Sequence, residues 1–62
     1  MKFVKFVSAL DARLEVHINP VEVAAVRDSH GKSMIIFRSV AVSETVAGSV
    51  ADVVAALEAA GG

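Results

Sequence analysis

SVADVVAALEAA, residues 49–60, is the stretch whose reading decides the fold. Ser49 is placed to cap a helix, and Asp52, three residues on, sits where a carboxylate suits the exposed amides of a first turn. Val50, Val53, Val54 and Leu57 recur at i, i+3, i+4 and i+7 and make one apolar stripe, with Ala60 at its edge. Gly61 and Gly62 end the helix. A stripe of this kind needs an apolar surface to lie on, and everything before Ser49 reads as the strands that supply it. The expected fold is therefore α+β, a single domain over 1–62 with about five antiparallel strands and one C-terminal helix.

Lys2 to Leu10 alternates imperfectly. Val4, Phe6 and Leu10 point one way and Phe3, Val7 and Ala9 the other, so both faces are apolar. Asp11 and Ala12 mark a tight turn, after which Leu14, Val16 and Ile18 alternate with Glu15, His17 and Asn19 to give one dry and one wet face. Asn19 and Pro20 then break the ladder, because proline has no amide to donate and holds the residue before it extended. Val21 and Val23, with Ala25 or Val26, carry a third strand to Arg27. The segment 28–32, DSHGK, is the clearest turn in the chain, with Gly31 its expected positive-φ residue. Met34 to Phe37 is an unbroken apolar run of strand length and predicts a strand buried on both faces. After a turn at Arg38 and Ser39, Val40 to Val46 alternates again, with Val40, Val42 and Val46 on one side. A helix begun at Ser43 fits this stretch less well, since Thr45, Val46 and Gly48 are weak helix formers.

One helix covers one face of a small sheet. The other face, with Phe3, Val7 and one side of the Met34–Phe37 strand, must be covered either by curling into a small barrel or by another subunit. Composition points to the second need. A chain of 62 residues lies near the lower size limit for folding unaided, it has no cysteine, and hydrophobic residues make up 55% of it, too much apolar surface for so small a body to hide. A homo-oligomer is expected. Ala51, Ala55 and Ala59 on the outer side of the helix either serve helix formation or let a second subunit approach closely, which makes Phe3, Val7, Ala51, Ala55 and Ala59 the interface candidates.

The formal net charge of −1 offers no basic field for nucleic acid or an anionic membrane. The longest apolar run, Val53 to Leu57, is far shorter than the ~20 residues that span a bilayer. Asp11 and Arg13 arrive before any leader-like apolar region develops behind Lys2 and Lys5, so a cytoplasmic location is expected.

Little in the chain carries chemistry. Glu15 and His17 share a strand face at a spacing that suits a metal or a shared proton, but two ligands do not make a site, and a solvated polar face is the plainer account. The serines lie outside any nucleophile-elbow pattern. No metal, cofactor or catalytic set is expected, and the chain reads as non-enzymatic. Arg27, Lys32 and Arg38 either converge in an oligomer to clamp an anion or are dispersed surface cations paired with Asp28 and Glu44. Phe3, Phe6 and Phe37 read as core, not as a platform for stacking bases.

Ile18-Asn19-Pro20, then Val23 and Val26, the apolar strand ending at Phe37, and Ser49-Val50-Ala51-Asp52-Val53 follow an order that resembles the FlbD family of small flagellar-operon proteins. That family has an aliphatic-Asn-Pro motif after a short first hairpin, a central hairpin, and a closing Ser-Val-x-Glu-Val helix. Here Arg38 and Ser39 stand where the family has Asn-Gly, and Asp52 replaces the glutamate. The resemblance implies a similar fold and brings no catalytic residues.

Two functions are compatible with these features. One is an oligomeric protein-binding or regulatory module of bacterial or phage-like origin. The other is a protein that binds or sequesters a nucleotide or other small anion at subunit interfaces, with Arg27, Arg38, His17 and Asn19 as the ligand-binding candidates.

Overall fold

The computed structural model describes residues 2–60, so the helix stop expected at Gly61 and Gly62 lies outside the described residues. The elements are β1 (Val4–Val7), β2 (Glu15–Ile18), a 3-10 turn (Pro20–Glu22), β3 (Val23–Ser29), β4 (Lys32–Phe37), β5 (Ser43–Val46) and α1 (Val50–Ala59). This is the expected α+β arrangement, all strand pairings being antiparallel. The strands divide into two small sheets, β1-β2 and β3-β4-β5.

The two sheets touch through a single bridge between Ser8 and Val46, flanked by hydrogen bonds from Ala9 N to Thr45 O (3.0 Å) and from Ala47 N to Val7 O (2.9 Å). Through this junction the strands run β2-β1-β5-β4-β3, and the sheet bends round the core without closing: no ladder joins β2 to β3 among the described residues. Of the two coverings expected for the second face, the closed barrel is therefore not formed.

Opposed residues of an antiparallel pair share a face, and the register sorts the side chains accordingly. Val4/Ile18, Phe6/Val16, Val26/Ile35 and Ser33/Val46 point inward, where Ile18, Ile35, Val46, Val53 and Leu57 form the buried core. The helix supplies the last two of these from its stripe and lies on β3 and β4. Its cap is as expected: the Ser49 hydroxyl oxygen accepts from Asp52 N at 3.2 Å.

One polar side chain is wholly enclosed. Ser33 is 0% exposed and donates its hydroxyl to the Gly48 carbonyl at 2.9 Å, tying β4 to the turn that launches α1. Ser33→Ala removes the donor and leaves that carbonyl without this partner, which should cost about 1–2 kcal/mol in a urea unfolding titration. A loss below a few tenths of a kcal/mol would mean that water replaces the hydroxyl.

Five apolar residues lie elsewhere than their alternation suggests. Val21 belongs to the 3-10 turn and is exposed, because the Asn19 side chain caps its amide at 3.2 Å and Pro20 starts the turn. Val40 and Val42 are exposed in the loop before β5, which begins only at Ser43, where β4 offers it a partner at Ile36. Leu10 is 95% exposed, beyond the end of β1 and past the Ser8 hydroxyl that accepts its amide. Leu14, on the intended dry face of the second strand, sits at the mouth of the Asp11–Leu14 turn and is also exposed. Met34 and Ile36 are half-buried, so β4 is enclosed at Ser33 and Ile35 on its inner face and only partly shielded on the other.

The DSHGK turn is tighter than expected. Ser29 and Lys32 are paired, and both loop residues have positive φ, 54° at His30 and 83° at Gly31. Two such residues in a two-residue loop match the primed turns whose twist suits a hairpin.

Candidate functional site

The face of the sheet turned away from α1 is built by the other half of the same alternation. Lys5/His17 and Val7/Glu15 from the first sheet, and Ala25/Ile36, Arg27/Met34, Ile36/Ser43 and Met34/Thr45 from the second, all stand on it. Its apolar part is Val7, Met34 and Ile36, with Phe3 one alternation step before Lys5. Phe3 is 56% exposed and Val7 36%. Both therefore stand on the uncovered side, and the reading of Phe3 as core is corrected, because it precedes β1 and its pairing with β2. The three alanines Ala51, Ala55 and Ala59 are exposed on the outer side of α1, a separate surface from the sheet face.

The four ligand-binding candidates do not come together as one group. His17 projects from β2, its Nε2 3.2 Å from Glu15 Oε1, while Lys5 Nζ approaches Glu15 Oε2 at 4.0 Å. These are exposed pairs of the kind that contribute little to stability. Arg27 lies on β3, at the opposite edge of the strand order, and its side chain makes no hydrogen bond or ion pair among the described residues.

Asn19 and Arg38, by contrast, meet at the 3-10 turn. The Asn19 carboxamide oxygen accepts from Val21 N, and Arg38 Nε donates to the carbonyl of that same Val21 at 2.9 Å. Arg38 N also donates to Glu22 O at 2.8 Å, and the Ser39 hydroxyl donates to Glu22 Oε1 at 2.9 Å. Arg38 thus holds the turn against the end of β4. Neither Asp28 nor Glu44 pairs with Arg27, Lys32 or Arg38 among the described residues, so that part of the expected surface pairing is corrected. The reason is register: Asp28 stands opposite Ser33 and Glu44 opposite Ile35, away from these cations.

At the far tip of the first hairpin, Asp11 is held below its ordinary value of 3.8 by the amide of Arg13, which donates to its carboxylate, and then by the Arg13 guanidinium. A depressed carboxylate supports this turn above that value and releases it as the pH falls through the lowered one.

No group of three His, Asp or Glu side chains able to hold a metal occurs among the described residues. No helix among them is long and apolar enough to cross a membrane. One concavity is present that the sequence did not point to. It is an open groove of about 230 Å³ between β3 and α1, lined by Pro20, Val23, Ala24, Ala25, Val26, Val54, Leu57 and Glu58. Its only sequence signal is the run of small residues at Ala24 and Ala25, which leaves the edge of β3 low beside the helix. Comparison with protein-family models, curated proteins and solved structures finds no match to this chain.

Proposed function

We propose that the chain is a non-enzymatic module that works as a homo-oligomer and binds a partner protein. One observation carries this reading: the sheet face opposite α1 presents exposed Phe3 and Val7 beside half-buried Met34 and Ile36, and no element among the described residues packs over it. An apolar patch of this kind on a small domain marks an interaction surface. The total surface agrees. The chain leaves 4169 Å² accessible, where a compact monomer of its mass leaves roughly 3,800 Å². The resemblance to the FlbD family adds a setting that genome neighbourhood tests: a flagellar operon around the gene favours a regulatory partner from the same operon.

Light scattering is the first test. The expected result is a particle heavier than 6.4 kDa at micromolar concentration, and a monomer whose unfolding is independent of dilution rejects the oligomer. Phe3→Glu and Val7→Lys alter exposed positions, so both variants should fold while losing partner binding by tenfold or more.

The ligand-binding alternative draws less support. Arg27 and His17 stand on opposite edge strands, Arg38 is engaged by Val21, and a shared anion site would need a second subunit to complete it. Calorimetry with a panel of nucleotides should show no binding heat, and binding that Arg27→Ala or Arg38→Ala abolishes would reverse the choice.

A further inference from the structure

The seven-residue strand β3, whose register shifts between Val23 and Ala25, is paired with β4 on one side only among the described residues. The pair that closes a two-residue hairpin is hydrogen-bonded, and hydrogen-bonded pairs then alternate along the ladder. Ser29–Lys32 and Arg27–Met34 are thus bonded pairs, and Val26 and Asp28 direct their N–H and C=O groups outward. No turn or loop hydrogen bond among the described residues uses these groups. An unpaired edge of this length is a template for another strand.

Beside the edge runs the groove between β3 and α1, floored by Val23, Val26, Val54 and Leu57. By helical spacing Ala51 and Ala55 follow Glu58 round the same side of the helix, so a second helix can come close there. We propose that two copies of the chain pair antiparallel along β3 across a two-fold axis at Val26, each helix closing the other's groove.

For two copies pairing edge to edge, charge narrows the register. Centring the axis on Arg27 sets two guanidiniums face to face, centring it on Asp28 sets two carboxylates, and centring it on Ala25 brings Asp28 up to Glu22. Like charges directly opposite are destabilising. With Val26 at the centre, Arg27 meets Ala25 and Asp28 meets Ala24, so no like charges oppose. The edge is roughly 24 Å long and the sheet and helix layers are together roughly 20 Å deep. That gives about 500 Å² per copy and about 1,000 Å² in all, the area at which specific interfaces begin.

This inference rests on the oligomeric reading above, and its test separates the two. The chain has no cysteine, so Ala25→Cys, Arg27→Cys and Val7→Cys each introduce one thiol at an exposed position. In the chosen register the thiol that Ala25→Cys places on one copy faces the thiol that Arg27→Cys places on the other. Their Cα atoms are about 4.5 Å apart, within disulfide reach, whereas two copies of either variant alone hold their thiols too far apart. After oxidation, a mixture of the first two variants should give about tenfold more covalent dimer than either alone, with light scattering reporting a dimer. A dimer without that selectivity, or one in which Val7→Cys cross-links by itself, overturns the edge pairing and leaves the oligomer standing. A monomer overturns both.

Discussion

Replacing Ile35 with alanine should remove a large share of the stability of the fold. Ile35 is 0% exposed at the middle of β4, with Val26 beside it on β3 and Glu44 beside it on β5, and it shares the core with Val46, Val53 and Leu57. Truncation of such a side chain costs about 2–5 kcal/mol, because the lost transfer energy is joined by the energy of the cavity left behind. A domain of this length has a total of roughly 3–9 kcal/mol. The urea midpoint, followed by circular dichroism at fixed protein concentration, should fall accordingly. A midpoint shift equivalent to less than about 1 kcal/mol would place the centre of the core elsewhere.

The helix yields the second large effect, and a paired control gives it meaning. Leu57 is 7% exposed and fills the centre of the stripe, so Leu57→Ala should cost about 2–4 kcal/mol. Ala55 is exposed on the same helix, and Ala55→Ser should cost under about 0.5 kcal/mol in an isolated chain. A melting temperature unchanged by Leu57→Ala would mean that α1 does not rest on β3 and β4. A loss of about 1 kcal/mol or more from Ala55→Ser that shrinks as the protein is diluted would assign Ala55 to the interface.

The helix was legible because every local signal agreed. Ser49, Asp52 and the stripe from Val50 to Leu57 each point to the same ten residues, Val50–Ala59. The central hairpin was legible for a similar reason, Gly31 fixing the turn between two apolar runs. Alternation failed where a strand needed a neighbour that was not there. Val40 and Val42 have the β-branched pattern of strand residues, yet the register that joins Ile36 to Ser43 ends just short of them. Val21 lost its strand to Pro20 and to the Asn19 cap, whose geometry outweighs the preference of one valine. The candidate site was half legible. The sequence assigns Phe3 and Val7 to an uncovered face, but the β3–α1 groove depends on how the helix crosses the sheet, and no periodicity encodes that angle.

The bridge between Ser8 and Val46 also bears on how the chain reaches this structure. Its two ends are separated in sequence by the whole β3–β4 hairpin, so forming it closes a long loop for a few backbone hydrogen bonds, whereas the His30–Gly31 hairpin closes locally. The central hairpin is thus the early element. The first hairpin is therefore expected to dock last and detach first, and its amides should exchange with solvent faster than those of β3 and β4.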